Sequence, residues 1–284
     1  MSYNRILIEQ KIKEFLLEDC MFSDVSSKTI LENAKMSAKI FAKNAGYISG
    51  LEELKILFGI LKISTIFKKK DGEKVTKGDI IVELEGNAKD ILLGERTGLN
   101  LITHMSAITS TVHKFYKLIE DSGKNVKIAC TRKTTPGMRI FEKKAAELGH
   151  ADVHRFSLDD MVLLKDTHLK YYKGDVEKLL KDTKDITSFS KKIEIEIEKV
   201  EDILTAAKNG ADIVMLDNMG PDQVEDAINL LKEHNLRNNI IVEVSGGITK
   251  ENIVDYLLSE PDVISLSLLT QFPSQKVDFS LRFD

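Results

Sequence analysis

The chain has no tryptophan, only 4 prolines and 2 cysteines among its 284 residues. Cys20 and Cys130 supply neither a disulfide framework nor a metal-binding spacing, which suits a reducing cytoplasm. A surplus of cations is missing as well. With 41 Lys and Arg against 45 Asp and Glu, the formal charge is −4, so the chain lacks the cationic excess that displaces counterions from nucleic-acid phosphates. Long hydrophobic runs are also lacking. The opening MSYNRILIEQKIKEFLLEDC carries charges throughout and reads as neither a signal peptide nor a membrane span. What is present is an ordinary globular mixture, 42% hydrophobic and 30% charged. Its length accommodates one barrel-sized domain, or a barrel with a smaller partner domain.

Two kinds of periodicity divide the chain. Residues 5–18 set Ile6, Leu7, Ile12, Phe15 and Leu16 among charges, predicting an amphipathic helix. Residues 36–48 and 60–68 alternate like strands of a half-exposed sheet. Asp71-Gly72 and Lys77-Gly78-Asp79 mark tight turns around Val75 and a strand at 80–84. From Ala88 onward the period becomes helical. Beyond residue 120, short apolar strands (126–130, 161–165, 193–198, 213–217, 240–244, 263–266) alternate with helical stretches such as 200–209, 221–234 and 250–258. That alternation predicts parallel β/α architecture. An incomplete parallel β/α barrel of about seven strands fits the count, with a doubly wound sheet as the alternative. The expected organisation is an N-terminal α+β sandwich over 1–112 and a β/α barrel over 113–270. The tail 271–284, which alternates again, is expected to return to the sandwich as a strand.

Polar groups collect where the barrel strands end. The run VKIACTRKTTPGMR (126–139) passes from a buried strand directly into Thr131, Arg132, Lys133, Thr134, Thr135 and Arg139. Guanidinium groups grip carboxylates or phosphates with paired hydrogen bonds, and Lys adds a point charge, so this end reads as an anion-binding mouth. Other strands end on Lys165-Asp166-Thr167-His168, on Asp217-Asn218 and on Ser245-Gly246-Gly247. Glu194, Glu196 and Glu198 share one face of their strand. His154 and Arg155 precede the second strand. In β/α barrels the site forms at these carboxyl ends. Ser245-Gly246-Gly247 before a helix is a candidate phosphate cradle, or simply a tight turn. Glu196 and Asp217 suit Mg²⁺ carried by a diphosphate, or equally a pairing with Lys165 or Arg132. His168 is either a site residue or an ordinary core or surface histidine. The other four histidines show no metal spacing, and Arg96 sits on a helix outside the barrel.

Taken in order, these motifs resemble the quinolinate phosphoribosyltransferases, the carboxylating nicotinate-nucleotide pyrophosphorylases. The likeness rests on Glu95-Arg96-Thr97-x-Leu99-Asn100, on TRKTTPGMR with Glu142-Lys143, on His154-Arg155 and on Leu164-Lys165-Asp166-x-His168. It continues through Ile-Glu-Ile-Glu-Ile, Met215-Leu216-Asp217-Asn218-Met219, Glu243-x-Ser245-Gly246-Gly247-Ile248 and Asp278-x-Ser280-Leu281. The resemblance implies a cytoplasmic enzyme of NAD synthesis that joins quinolinate to phosphoribosyl diphosphate with loss of CO2. It further implies a homodimer, or a higher oligomer, in which Arg96 reaches the partner's barrel mouth. By the same match, Arg132, Lys133, His154, Arg155, Lys165 and Arg96 hold quinolinate, with Thr131 and His168 beside them. Lys133, Lys165, Glu196 and Asp217 are the implied catalytic set, Glu196 and Asp217 standing near Mg²⁺ or the ribose hydroxyls. Ser245, Gly246, Gly247 and Ser267 are implied for the 5′-phosphate. The chain departs from the family pattern at Val153, Thr167 and Ser267. Two other readings stay open: a ModD-like enzyme using another nitrogen heterocycle, and a weakened paralogue with a binding or regulatory role.

Overall fold

Alternation in sequence becomes a sheet in the first of two units that the computed structural model, describing residues 3–284, resolves in the chain. In chain order the unit begins with helix α1 (Arg5–Asp19), β1 (Lys35–Ala42), β2 (Gly46–Tyr47), α2 (Leu51–Ile60), β3 (Ser64–Phe67), β4 (Lys74–Val75), β5 (Ile80–Asn87) and the long α3 (Ala88–Ser122), whose residues from Phe115 on belong to the second unit. The second unit carries β6 (Lys127–Cys130), and the chain then re-enters the first with α4 (Arg139–Leu148). There follow β7 (Val162–Leu164), α5 (Asp166–Tyr171), α6 (Val176–Ile186), β8 (Ile193–Ile197), α7 (Asp202–Lys208), β9 (Ile213–Asp217) and α8 (Pro221–Glu233). The chain closes with β10 (Ile241–Ser245), α9 (Ile253–Leu257), β11 (Val263–Leu266), α10 (Leu268–Gln271) and β12 (Phe279–Phe283).

Unit 1 has a four-stranded sheet in the order β12-β1-β5-β3. All its pairings are antiparallel, with Ile40 opposite both Val82 and Leu281. The returning tail expected from the sequence is therefore β12. Ala38, Ile40 and Ala42 point into the core at every second position. Helix α1 buries Ile8, Ile12 and Leu16, a spacing of four that sets one apolar stripe inward. Two details differ from the sequence reading. The stretch 60–68 is a strand only from Ser64, because Ile60 closes α2. Helix α2 itself escapes the pattern, since its caps come from elsewhere: Gly50 starts it at φ 97°, a conformation glycine adopts freely, and the Asp71 carboxylate accepts the Leu51 N–H at 2.9 Å.

The segment Thr134–His150, placed in the barrel by the sequence reading, packs with unit 1. The reason is electrostatic as well as apolar. Lys144 of α4 lies 2.8 Å from the fully buried Glu53 and 2.5 Å from Glu52, both on α2. Burial holds the Glu53 carboxyl above its usual range despite Lys144. Burial also acts against charge on Lys144, but its two carboxylates prevail and raise it. Breaking such a pair leaves an uncompensated buried charge.

Unit 2 is a parallel sheet of six strands, β6-β11-β10-β9-β8-β7, with a single parallel bridge from Ala129 to Asp152 beyond β6. The expected count of about seven is thus six strands and a bridge. Along β8 the isoleucines 193, 195 and 197 are buried, while Glu194 and Glu196 occupy the opposite face. Helix α8 buries Val224, Ala227, Ile228 and Leu231, the i, i+3, i+4, i+7 stripe of a helix laid on a sheet. Each such aliphatic side chain contributes roughly 1.5–3 kcal/mol by leaving water. This apolar layer frees the other face of the strands for polar groups.

Candidate active site

Parallel strands put all their carboxyl ends on one side, and the chemistry-bearing residues follow. Thr131, Arg132 and Lys133 leave β6, Lys165 follows β7, Glu196 sits near the end of β8 and Asp217 ends β9. Ser245 ends β10, with Gly246 and Gly247 after it, and Ser267 follows β11. His154 and Arg155 come just after the bridge at Asp152. All of these belong to unit 2. Arg96 does not: it is exposed on α3 in unit 1. The anion-binding mouth also contracts. Thr134 and Arg139 belong to unit 1, where the Arg139 Nε donates to the Thr134 hydroxyl at 3.1 Å.

The cationic side centres on Arg155, which is 7% exposed. Burial, then the neighbouring Arg132 guanidinium, lowers its affinity for its proton, while Glu194, Glu196 and Asp160 oppose them. Two neighbouring guanidinium groups repel, and an anion bound between them would relieve that repulsion. Lys133 is exposed, its backbone N–H turned to the Thr131 hydroxyl at 3.1 Å. Lys165 reaches Glu196 at 2.5 Å. His168, exposed at the start of α5, accepts the Lys165 N–H on its Nδ1 at 3.0 Å. That gives His168 a helix-capping task whatever else it does.

The carboxylate side is a cavity of about 330 Å³ lined by Glu196, Asp217, Asp166 and Glu198. Three lysines unremarked in the sequence, Lys170, Lys173 and Lys199, line it too. Lys170 holds Asp166 at 2.7 Å and lowers its carboxyl pKa. Nothing in the local sequence marks these lysines, since only strand order brings α5 and the end of β8 together.

At the candidate phosphate cradle the two glycines differ. A side chain on Gly246 would collide with the Asn218 amide at 2.2 Å, so glycine is required there by Asn218. Gly247, at φ 64°, faces open space, with no chain atom within 4 Å of where a Cβ would stand. Asn218 is fixed from both sides, donating its N–H to the Ser245 carbonyl at 2.8 Å and its amide to Asp217 at 2.9 Å.

Beneath these groups lies a cluster that sequence reasoning missed in part. Glu194 lies 3.1 Å from His154 Nε2, as does Glu243 from β10. The carboxylates are 0% and 1% exposed. The alternation of Ile and Glu put Glu194 on the right face, but its partner is a residue from another loop. Burial, and then Glu243 and Glu196, push the Glu194 carboxyl up against the pull of His154. Burial acts to lower the His154 imidazole, but the two carboxylates outweigh it and draw it toward its charged form, to about 10. The Arg155 N–H works against that charge, because it donates to Nδ1 at 2.7 Å and a second ring proton would have to displace it.

A sheet of six parallel strands, with basic groups at some strand ends and a carboxylate cavity at others, defines a β/α enzyme that takes small anionic substrates. Family models place it further. Residues 24–106 match the N-terminal domain of quinolinate phosphoribosyl transferase and residues 108–282 its C-terminal domain, so the chain belongs to the quinolinate phosphoribosyltransferase family. It is 40% identical over 254 residues to an Archaeoglobus fulgidus protein described as "Probable nicotinate-nucleotide pyrophosphorylase (carboxylating)", covering 89% of this chain and 96% of that one. It is 32% identical over 272 residues to the human nicotinate-nucleotide pyrophosphorylase (carboxylating), covering 95% and 90%. The crystal structure of NadC from Streptococcus pyogenes superposes with a TM-score of 0.91 at 32% identity, covering 100% of this chain and 99% of that one.

Proposed function

We propose that the chain transfers the phosphoribosyl group of phosphoribosyl diphosphate to quinolinate, giving nicotinate mononucleotide, diphosphate and CO2. The observation that carries this reading is that the buried Arg155 feels both the Arg132 guanidinium and the Glu196 carboxylate, which in turn pairs with Lys165. Two guanidinium groups within electrostatic reach of each other suit a ring with two adjacent carboxylates. Quinolinate's ring nitrogen attacks the anomeric carbon, and the carbon–oxygen bond to diphosphate breaks with its electrons leaving on the diphosphate. The quaternised nitrogen then stabilises the electron pair left on the adjacent carbon when CO2 departs, and that carbon takes a proton. Lys165 and Lys133 fix charge and orientation, and no side-chain nucleophile is needed.

Glu196 and Asp217 are hard oxygen donors lining one cavity, a donor set that fits Mg²⁺ better than a soft metal. Bound there, the ion would neutralise charge on the departing diphosphate. Lys165 already neutralises part of the Glu196 charge, which keeps the site from binding a cation too tightly without substrate. The open flank of Gly247 suits a 5′-phosphate approaching backbone N–H groups, with Ser245, Gly246 and Ser267 around it.

Arg96, exposed on α3, fits a role donated across a homodimer, and the two cysteines, both free thiols, suit the cytoplasm. Among the described residues no helix is long and apolar enough to cross a membrane.

The test is an assay of purified protein with quinolinate, phosphoribosyl diphosphate and Mg²⁺, following nicotinate mononucleotide and released CO2. Product only with a different heterocycle would replace quinolinate as the acceptor. Ligand binding without turnover of any heterocycle would refute the enzymatic reading. For Arg96, inactive Arg96→Ala and Lys165→Ala protomers are mixed; recovery of partial activity is expected, and none in verified heterodimers would refute sharing.

A further inference from the structure

Of the seven non-glycine residues with positive φ among the described residues, five lie within three positions past the end of a helix. There a left-handed residue commonly closes the last turn. Asn218 has no helix before it. It follows β9 directly, at φ 56°, a region in which asparagine is enriched but still uncommon. Such a conformation persists only where its surroundings hold it, and it gathers at sites of function.

Three contacts hold Asn218, and each ends on a group assigned above to the phosphoribosyl diphosphate side of the site. Its Nδ2 donates to Asp217 Oδ2 at 2.9 Å. Its backbone N–H donates to the Ser245 carbonyl at 2.8 Å. Its amide oxygen fills the space beside Gly246, only 2.2 Å from where a Cβ would stand. Strand register sets Asp217 opposite Ser245, so β9 and β10 deliver a carboxylate and a glycine turn side by side. The amide of Asn218 touches both.

We propose that Asn218 is a positioning residue for phosphoribosyl diphosphate: acting through Asp217 and Gly246, it fixes the Asp217 carboxylate relative to the Ser245-Gly246-Gly247 turn, so that one substrate engages both at once. This deepens the reading of the site above and rests on it for the identity of the ligand. The terminal torsion of an aspartate is soft; a donor on Oδ2 sets it and leaves Oδ1 for the ligand. The two ends of phosphoribosyl diphosphate are joined by covalent bonds, so their subsites reinforce each other only where the spacing is set in advance.

The experiment uses the full-length protein and two variants. Asn218→Gly adopts φ 56° freely and keeps the N–H to Ser245, so it removes the amide alone and should melt close to the parent. Asn218→Asp keeps the shape but turns the donor into a second carboxylate beside Asp217. Calorimetric titration with Mg²⁺ present compares phosphoribosyl diphosphate with inorganic phosphate and inorganic diphosphate, neither of which spans both ends. Asn218→Gly should weaken phosphoribosyl diphosphate about tenfold, the loss of one hydrogen bond to a charged group. Each fragment should weaken by less than about threefold. A loss borne equally by one fragment would place Asn218 at that end alone and overturn the proposal, as would unchanged affinity for the whole substrate. Asn218→Asp should lose at least as much, and parent-like affinity there would show the donor to be dispensable, refuting its role. In turnover, KM for phosphoribosyl diphosphate should rise while KM for quinolinate stays within about twofold; an equal rise in both would refute positioning of this one substrate. A parent that binds no phosphoribosyl diphosphate would refute the functional reading and this proposal together, whereas a parent that binds it no better than its variants refutes this proposal alone.

Discussion

Buried charge is treated in opposite ways in the two units. In unit 1, Lys144 is held between Glu52 and Glu53, a local arrangement in which the cation has two partners and one oxygen, Glu53 Oε2, lacks a hydrogen bond. In unit 2, Glu194 and Glu243 share one imidazole, and Glu194 Oε1, Glu194 Oε2 and Glu243 Oε1 all fall outside hydrogen-bond geometry. Close by, Arg132 and Arg155 repel each other. The first arrangement closes on itself and fastens one helix to another. The second sets like charges near one another, carboxylates on β8 and β10 and guanidinium groups at Arg132 and Arg155, which is costly in a free protein and useful to one that binds a charged substrate.

The comparison can be broken most decisively at Arg132. Arg132→Ala should lower kcat/KM by about a thousandfold, in line with losing one preorganised charged donor, while the denaturant midpoint barely moves. Near-normal turnover in that variant would remove Arg132 from the acceptor site and erase the contrast. Lys144→Met should do the reverse. Leaving Glu53 buried without its cation is expected to reduce stability by about 3–5 kcal/mol, and Glu53→Gln combined with Lys144→Met should restore most of it. Chemical denaturation of the single and double variants measures both numbers; a single variant as stable as the parent would show that the pair contributes nothing.

A smaller effect belongs to the cradle. Gly246→Ala forces a Cβ onto the Asn218 amide and needs φ 93°, so a loss of about 1–3 kcal/mol is expected, read from the thermal midpoint. Gly247→Ala meets no chain atom. It should cost about 1 kcal/mol for its left-handed φ, with the larger effect on KM for phosphoribosyl diphosphate. Equal behaviour of the two variants in both assays would contradict the distinction drawn between these glycines.

The subtlest effect is in pH. Lys144 is raised above 10.5 in the folded chain. Its stabilisation is therefore complete below the unfolded value and is lost as pH rises through the folded one. The stability gap between parent and Lys144→Met should stay level up to about pH 10 and narrow above it. A gap that instead widens at alkaline pH would reverse the sign assigned to the pair.

Much of this architecture is readable in the sequence itself. The IEIEI strand announced two faces, and six apolar runs ending in polar residues announced a parallel sheet with its chemistry on one side. The tail at Phe279–Phe283 returned to β1 as its alternation suggested. Helix α2 was not legible, because Asp71, twenty residues away, caps it. Residues 139–148 fall within the range 113–270 expected for the barrel, whereas α4 belongs to unit 1, where Lys144 pairs with Glu53. Lys170, Lys173 and Lys199 resemble ordinary surface lysines until strand order sets them around Glu196 and Asp217.

Sequence alone determined which faces are apolar, where strands stop and which residue types stand at those stops, because each follows from periodicities of two and 3.6 residues. Only the tertiary structure decided who meets whom. It placed Glu194 and Glu243, forty-nine positions apart, at one imidazole nitrogen. The physical reason is that hydrogen bonds and buried charge act over about 3 Å, a distance that local pattern cannot specify between residues far apart in the chain.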